Sequence, residues 1–417
     1  MMRTIRYSAI LGLLLAAAAC ENENVNRPPS ITPVDPLFDR YVSMGNSITA
    51  GFQSAGINDS TQSQSYAVLL GRAMHSPVFP PLMKRPGCPP PFTNVFTQAR
   101  VGGGTPTTCA LRVVTTPPPP YVSNTAVPGA EVIDIYNNLD PTSNSNTLTS
   151  FILGGLTQTQ MMQRAHPTFV SVWIGNNDVL GAATSSPNGG DSTKITPVAT
   201  FQANYTNVLD SVEAVSPGGA VLLSVANVTL IPYFSRGAIY WAIKNGVFGP
   251  SPFPATFTVS NNCAPVATAI PGARGDSVLV PFPYGAALLG AAQQGAPRNL
   301  DCADTVAAIV VPSELVKLVS AVTAYNAFIS SQATARGWAY FDVNAKLAQL
   351  AADTAQVRPF PYFPQGNAGD TVAVRRPFGR AFSLDGVHPS ASTHRILADT
   401  LRHVIDAKYG TAIPAIP

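Results

Sequence analysis

A serine, a histidine and an aspartate are placed in this sequence where they could support nucleophilic catalysis. Ser47 follows an apolar, strand-like run directly, so it is either a helix cap or a nucleophile held at the end of a sheet. A serine nucleophile needs an adjacent base, and that base needs a partner that fixes its tautomer. Asp385 and His388 are three residues apart, so one turn can present both side chains to the same site.

Two further polar stretches carry a glycine and an amide in similar surroundings. Residues 124–129 read NTAVPG and end at Gly129, and residues 175–178 read GNND and include Asn177. Each feature alone has an ordinary structural explanation: Gly129 as a turn residue, Asn177 as an amide that satisfies a loop, and the Asp385–His388 pair as a surface turn. The order of all four stretches along the chain is the specific signal.

The elements that would position these residues alternate between strands and helices, which predicts an α/β fold with a parallel sheet. Ligands of such sheets bind beyond the carboxyl ends of the strands, and the polar stretches follow predicted strands. The predicted strands are residues 40–44, 121–126, 168–174, 220–226 and 338–343, and the predicted helices are residues 65–74, 130–137, 148–164, 198–215, 312–336 and 391–408.

Together, the four stretches resemble the four blocks of the SGNH or GDSL hydrolase superfamily. The matching segments are GNSITAG at residues 45–51, NTAVPG, GNND and DGVH at residues 385–388. The resemblance covers the chain from residue 40 to the final helical pattern, but only through these short motifs. Asn46 stands where the family usually has aspartate, which removes a carboxylate from the turn beside Ser47.

The resemblance implies a fold, an activity and a set of roles. The fold is a flavodoxin-like three-layer α/β/α sandwich with about five parallel strands. Ser47 would be the nucleophile, His388 its general base and Asp385 the residue that orients the imidazole. The oxyanion hole would consist of the backbone N–H groups of Ser47 and Gly129 and the side-chain amide of Asn177. Asp178 would brace the loop, and no cofactor or metal is implied.

The expected reaction is hydrolysis of a carboxylic ester, lipid-like or otherwise, through an acyl-enzyme. Alternatives are hydrolysis of acetylated carbohydrate and acyl transfer to an alcohol, which the sequence does not separate from hydrolysis. A rival of another class is a non-catalytic binding lipoprotein, but a binding protein has no need for Ser47 and His388 together. An α/β-hydrolase fold is disfavoured because Ser47 lacks a Gly-x-Ser-x-Gly motif.

The N-terminus predicts export and a lipid anchor. Residues 1–19 read as a signal peptide, and small residues precede Cys20, the predicted lipidation site, although Ala17 stands where leucine is commoner. Residues 20–38 are polar and proline-rich, as in a flexible tether, and residues 39–417 form the predicted hydrolase domain. We expect a monomer attached to a bacterial membrane, either periplasmic or at the cell surface. The alternative is ordinary secretion, with Cys20 buried or unused.

Composition agrees with a folded, exported protein. Of 417 residues, 46% are hydrophobic and 11% are charged, which suits a large core. Removing the signal peptide takes away Arg3 and Arg6, so the formal charge falls from +3 to about +1, and no basic run suggests nucleic-acid binding.

Two proline- and glycine-rich segments, residues 76–120 and 230–311, interrupt the alternation and are predicted insertions. Each contains two of the four remaining cysteines, and three pairings are possible. Proximity favours Cys88 with Cys109 and Cys263 with Cys302. The aromatic residues of the second insertion either pack its own core or form a wall over the substrate: Tyr233, Phe234, Tyr240, Trp241, Phe248, Phe253, Phe257, Phe282 and Tyr284.

Overall fold

The computed structural model describes residues 32–137, 147–361 and 376–416, and its centre is a parallel sheet of four strands. These strands are β1 (Tyr41–Gly45), β2 (Phe169–Trp173), β3 (Gly219–Leu223) and β4 (Ala339–Phe341), and they lie side by side in chain order. Tyr41 pairs with Phe169, which in turn pairs with Gly219. The predicted α/β fold with a parallel sheet is therefore confirmed.

Helices connect the strands and flank the sheet. The α-helices of the described residues are α1 (Ser47–Ala50), α2 (Asp59–Ser63), α3 (Tyr66–Ala73), α4 (Thr147–Leu153), α5 (Gln158–Ala165), α6 (Asn177–Ala183), α7 (Val198–Glu213), α8 (Gly237–Lys244), α9 (Phe282–Gln293), α10 (Pro312–Ala335), α11 (Val343–Ala351) and α12 (Ala391–Tyr409). None of these helices is long and apolar enough to cross a membrane.

The core lies on both faces of the sheet because alternate residues of each strand point to opposite sides. Val42 and Val170 belong to a cluster that includes residues of α5, α7 and α10. Tyr41 and Phe169 belong to a second cluster, with residues of α3 and α12. Burial on both faces explains why β1, β2 and β3 are almost wholly apolar in the sequence, interrupted by Ser43 in β1 and Ser171 in β2.

The predicted count of about five strands is not confirmed, because residues 121–126 do not form a regular strand. They lie beside β1 and make one isolated parallel bridge, between Ser43 and Asn124. The Asn124 side chain accepts a hydrogen bond from the Ala126 N–H at 3.1 Å, as in an Asx turn. A second bridge does not form because the Gly45 N–H donates to the Gln158 side chain, although the Val127 N–H still donates to the Gly45 carbonyl.

Two predicted helices also differ from the structure. Residues 130–137 form only a short 3₁₀ helix, Ile133–Ile135, in a stretch whose β-branched residues favour helix weakly. The helix predicted over residues 148–164 is interrupted between α4 and α5. Gly154 and Gly155 lie at the break with φ angles of 66° and 87°, which a helix cannot accommodate.

Each insertion has its own small sheet and a disulfide. The first contains an antiparallel pair, Phe92–Asn94 with Ala99–Arg100, and the bond between Cys88 and Cys109. The second contains α8, α9, two strand pairs and the bond between Cys263 and Cys302. The strand pairs of the second insertion are Phe234–Arg236 with Leu279–Pro281 and Phe257–Val259 with Arg298–Leu300.

Most aromatic residues of the second insertion pack inside it. Tyr240, Phe253 and Phe257 are buried in one cluster with the Cys263–Cys302 bond, and Trp241 and Tyr284 pack against that cluster. Packing, not a substrate wall, therefore accounts for these five residues. Tyr233 and Phe282 are different, because they share a cluster with Phe382 and Leu384, which precede His388. The Tyr233 N–H donates to the Gly386 carbonyl at 2.9 Å, and the Phe282 N–H donates to the Tyr233 carbonyl at 2.8 Å.

Candidate active site

Ser47 lies where β1 ends and α1 begins, and it is not the helix cap. The cap is Asn46, whose side-chain oxygen accepts a hydrogen bond from the Ile48 N–H at 3.1 Å. An aspartate at position 46 could accept the same hydrogen bond from the Ile48 N–H. Asparagine in place of the family's usual aspartate therefore keeps the turn intact. The Asn46 amide nitrogen is buried without a hydrogen-bond partner among the described residues. The hydroxyl of Ser47 is thus available for another partner.

That partner is His388, which links Ser47 to Asp385. The Ser47 Oγ lies 2.8 Å from Nε2 of His388, and Nδ1 of the same ring lies 2.9 Å from Oδ2 of Asp385. A carboxylate accepts a hydrogen bond only from a protonated Nδ1, so it holds the neutral ring with its Nε2 lone pair towards Ser47. This geometry suits removal of the hydroxyl proton by the imidazole.

The carboxylate of Asp385 is surrounded by hydrogen-bond donors. Its Oδ1 accepts from the backbone N–H groups of Val387 and His388, both at 2.9 Å, and from the Ser383 hydroxyl at 3.1 Å. Burial alone would raise the pKa of Asp385, but the charge of His388 and these hydrogen bonds outweigh it and lower the pKa to about 2. Asp385 is therefore ionised near neutral pH.

Gln158 holds the backbone just before Ser47, a role that no pattern in the sequence indicated. The Gln158 amide accepts from the Gly45 N–H at 2.9 Å and donates to the Gly45 carbonyl at 2.9 Å. Gln158 is only 1% exposed, and it lies in the first turn of α5. A side chain at Gly45 would place its Cβ 2.5 Å from the Trp173 carbonyl, so the close approach requires glycine. No sequence motif indicates a residue that acts on a backbone more than a hundred positions away.

The NTAVPG stretch is attached to the same turn. The Asn124 side chain donates to the Thr49 carbonyl at 2.7 Å, and the Val127 N–H donates to the Gly45 carbonyl at 3.1 Å. Gly129 follows with a φ of 82°, a conformation that favours glycine. The second block is therefore fixed to the end of β1, beside the turn that carries Ser47.

Asn177 is the first residue of α6, after the end of β2. Its amide nitrogen donates to the Ala130 carbonyl at 2.8 Å, which holds the side chain next to Gly129. An amide nitrogen carries two hydrogens, so this bond leaves a second one for a ligand. The Asn177 side chain, which is predicted to line the oxyanion hole, thus joins the GNND stretch to the backbone beside Gly129.

Asp178 faces the protein interior. Its Oδ2 accepts a hydrogen bond from the Val132 N–H at 3.1 Å, and the residue is buried. Burial, with the negative charge of Glu131, raises the pKa of Asp178 to about 8. Asp178 therefore joins α6 to the segment that follows Gly129, as expected of a residue that braces the loop.

Two other rings lie near the His388 imidazole. The Phe52 ring centroid is 4.9 Å from that of His388. His394 is fully buried in α12, and its Nδ1 accepts a hydrogen bond from the Tyr66 N–H at 3.2 Å. Burial, and then the charge of His388, lowers the pKa of His394 to about 3, so it stays neutral near pH 7.

The remaining predicted sites are distributed elsewhere. Both disulfides lie in the insertions, and Cys20 falls outside the described residues. Within the described ranges, no group of three or more His, Cys, Asp or Glu side chains is placed to hold a metal ion.

Comparisons with known proteins give similar solved structures and no sequence relative. No protein-family model and no curated protein matches the chain. An acetylxylan esterase from Geobacillus stearothermophilus is 12% identical, with 90% of this chain and 95% of that chain covered and a TM-score of 0.36. An extracellular lipase from Streptomyces rimosus is 13% identical, with 88% and 99% covered and a TM-score of 0.35. A putative GDSL-like lipase from Parabacteroides merdae is 11% identical, with 92% and 99% covered and a TM-score of 0.34.

Proposed function

We propose that this protein is a serine esterase of the SGNH type that hydrolyses carboxylic esters through an acyl-enzyme on Ser47. The observation that carries the proposal is the continuous hydrogen-bonded chain from the Ser47 hydroxyl through His388 to Asp385. These three side chains come from two distant parts of the sequence and meet at the carboxyl end of β1. A binding protein that merely kept the fold would have no use for this alignment.

The reaction would proceed in two steps. In the first, His388 Nε2 takes the Ser47 proton as Oγ attacks the ester carbonyl, and the imidazolium then protonates the departing alcohol. In the second, His388 removes a proton from water, which attacks the acyl-enzyme, and the proton returns to Ser47 as the acid leaves. Asp385 stays ionised and stabilises the imidazolium in both steps.

The oxyanion would be stabilised by the Ser47 and Gly129 N–H groups and the Asn177 amide. Ser47 is the first residue of α1, where backbone N–H groups have no partner within the helix. The left-handed conformation of Gly129 and the bond from Asn177 to Ala130 support a common site for the other two donors. Such donors act where charge develops, so they favour the transition state over the bound ester.

Two classes of ester fit this site. Lipid-like and other acyl esters are one, and O-acetylated carbohydrate is the second. The inward packing of Tyr240, Phe253 and Phe257 favours the second, because it removes most of the aromatic surface that would bind a long acyl chain. Acyl transfer to an alcohol uses the same acyl-enzyme and differs only in the acceptor.

Reaction with a fluorophosphonate tests the proposed function directly. The Ser47 oxygen should displace fluoride and form a stable phosphonyl adduct, because the base and the donors that serve an ester also serve this reagent. We expect one adduct per chain, located on the peptide that contains Ser47, together with turnover of nitrophenyl acetate. An unlabelled, inactive, folded protein would favour a binding function instead.

Asn177→Ala is expected to lower kcat for nitrophenyl acetate by about 10²- to 10³-fold with a much smaller change in KM, because the lost donor acts mainly on the oxyanion. Steady-state kinetics on fluorophosphonate-titrated enzyme measures both constants. Asn207→Ala, an exchange of a surface asparagine in α7, serves as the control. An unchanged kcat in Asn177→Ala would remove this amide from the oxyanion hole.

We also propose the flavodoxin-like strand order for the fold. Residues 121–126 lie on the free side of β1, which is the place of the second strand in the order 2-1-3-4-5. Counting that segment as a degenerate strand gives this order. Helical residues in the clusters on both faces of the sheet support the three layers.

Export and lipidation at Cys20 remain part of the proposal. They rest on the sequence of residues 1–20, which ends in small residues before the cysteine. An anchored enzyme would act on esters at the periplasmic face of the membrane or at the cell surface, with residues 20–38 as its tether.

A further inference from the structure

Asp385, the aspartate that orients His388, is held from outside its own loop by a tight turn at residues 53–56. The Ala55 N–H donates to Oδ2 of Asp385 at 2.6 Å, the same oxygen that accepts from His388. The turn also exchanges two hydrogen bonds with the residues just before Asp385: the Ser54 N–H donates to the Ser383 hydroxyl at 2.8 Å, and the Leu384 N–H donates to the Ser54 hydroxyl at 3.1 Å.

This turn has a conformation that its own residues do not favour. Ser54 and Ala55 have φ angles of 55° and 52°, in the left-handed region that residues with a Cβ rarely adopt. Such backbone persists only where the surrounding structure holds it. Contacts beyond the turn must therefore keep the Ala55 N–H directed at Asp385.

The first insertion supplies those contacts. The Phe92 N–H donates to the Ser54 carbonyl at 2.7 Å, so the peptide group between Ser54 and Ala55 bonds to the insertion at one end and to Asp385 at the other. A Cβ at Gly56 would lie 2.3 Å from the backbone nitrogen of Pro91, so the two backbones are in direct contact. The turn is thus pressed against the insertion and cannot shift independently.

Arg100 connects the turn to the insertion by its side chain. One guanidinium nitrogen, Nη1, donates to the Ala55 carbonyl at 2.8 Å and to the Pro90 carbonyl at 2.6 Å. The guanidinium lies 3.9 Å from the centre of the Phe92 ring, and Arg100 is only 9% exposed. Among the described residues its charge meets no carboxylate, and its hydrogen bonds go to backbone carbonyls. A buried arginine without a counter-ion is costly, which points to a role in fixing these two carbonyls.

We propose that Arg100 is a positioning residue for Asp385, the aspartate that orients His388: by fixing the Ala55 carbonyl against the first insertion, it keeps the Ala55 N–H bonded to Asp385. The proposal rests on the proposed function of Ser47, His388 and Asp385. The Arg100 side chain bonds to the Ala55 and Pro90 carbonyls and not to Ser47, His388 or Asp385, so it acts through the backbone of the turn.

Loss of Arg100 has a predictable effect on the ionisation of the site. When the Ala55 N–H moves away, the carboxylate of Asp385 loses one donor and becomes more basic. It then stabilises the His388 imidazolium more strongly, so His388 stays protonated, and inactive as a base, up to a higher pH. The charge that acts on Asp385 is that of His388, and the buried His394, whose pKa is lowered to about 3, adds no charge near pH 7.

The experiment compares Arg100→Met with the wild-type protein in ester hydrolysis from pH 4 to pH 9. We expect kcat per fluorophosphonate-titrated site to fall about 10- to 100-fold near pH 7, and the acid limb of kcat/KM to move up by about one pH unit. Arg100→Lys keeps the positive charge and a hydrogen-bond donor. Its kcat and its acid limb should therefore lie between those of the wild-type protein and Arg100→Met. A variant that is only less stable would lose active sites equally at every pH and keep the wild-type limb.

Arg112→Met is the matched control, because Arg112 belongs to the same insertion and also donates to a backbone carbonyl. Its Nη1 bonds to the Ile152 carbonyl at 2.8 Å, and Arg112 has no hydrogen bond to the turn at residues 53–56. This variant removes the same charge and should keep the wild-type acid limb. Gly56→Ala is the second test, since its Cβ should push the turn off the insertion with Arg100 intact and move the limb in the same direction.

Wild-type acid limbs in both Arg100→Met and Gly56→Ala, with kcat per titrated site unchanged, would overturn the proposal and leave Arg100 a role in stability only. If Arg100→Met does not fold, Arg100→Lys and Gly56→Ala decide the matter by the same criterion. Failure of the proposed function is distinct, because the wild-type protein itself would then neither react with the fluorophosphonate nor hydrolyse esters.

Discussion

Ser47→Ala should abolish ester hydrolysis, with a loss of kcat/KM on the order of 10⁴-fold or more. The variant lacks the oxygen that forms the acyl-enzyme, and water at that position would be neither held nor deprotonated as efficiently. Ser47 is only 7% exposed and lies beside His388. Replacing it with alanine removes one oxygen atom from a packed site and should leave the fold intact. Fluorophosphonate labelling should disappear in parallel.

Ser65→Ala provides the control for that experiment. Ser65 is also a buried serine at the start of a helix, but its hydroxyl accepts a hydrogen bond from the Val68 N–H at 3.3 Å and so caps α3. Its loss should lower the free energy of unfolding by about 1 kcal/mol and leave kcat unchanged. Near wild-type turnover by Ser47→Ala, after removal of any contaminating esterase, would show that another residue is the nucleophile.

Asp385→Asn is expected to lower kcat by about 10⁴-fold. Both oxygens of Asp385 accept hydrogen bonds: Oδ1 from Ser383, Val387 and His388, and Oδ2 from Ala55 and His388. An asparagine must place its NH₂ group against donors at one of these positions. If it faces His388, the ring must present a lone pair at Nδ1 and a hydrogen at Nε2, which cannot accept the Ser47 proton.

The control for this exchange is Asp342→Asn. Asp342 also follows a strand of the sheet, and it caps α11 through a hydrogen bond from the Asn344 N–H at 2.9 Å. Asparagine is as good a cap as aspartate, so stability and kcat should both be retained. Thermal unfolding should be monitored with kcat, since a large fall in stability without a fall in kcat per titrated site would assign Asp385 a structural role.

The sheet and the positions of the polar stretches could be predicted because they depend on short-range patterns. β1, β2 and β3 are buried on both faces, so each is mostly apolar, and a parallel sheet brings their carboxyl ends to one edge. The Asp-x-x-His spacing similarly limits both side chains to one turn. The helix α12 differs from its predicted bounds by one residue, because an amphipathic pattern and Ser390 as a cap define it locally.

Other features depend on contacts that no local pattern records. The Gly45 N–H bonds to a distant side chain instead of continuing the ladder, which prevents a fifth regular strand although residues 121–126 suit one. Gln158 and Arg100 act on backbone groups far away in the sequence, and a glutamine or an arginine in isolation gives no sign of such a role. The aromatic residues of the second insertion were consistent with either a core or a wall, and only the packing decides between them.

The hydrogen bond between Ser47 and His388 joins residues 341 positions apart, which has consequences for how the protein is made. Contacts of such long sequence separation form late, because the intervening chain loses conformational freedom before they can be made. During synthesis the nucleophile leaves the ribosome long before its base, so the nascent chain carries Ser47 through most of translation without the means to activate it. Hydrolysis would begin only when the last strand and the final helix have docked, and recovery of activity would therefore mark the completion of folding.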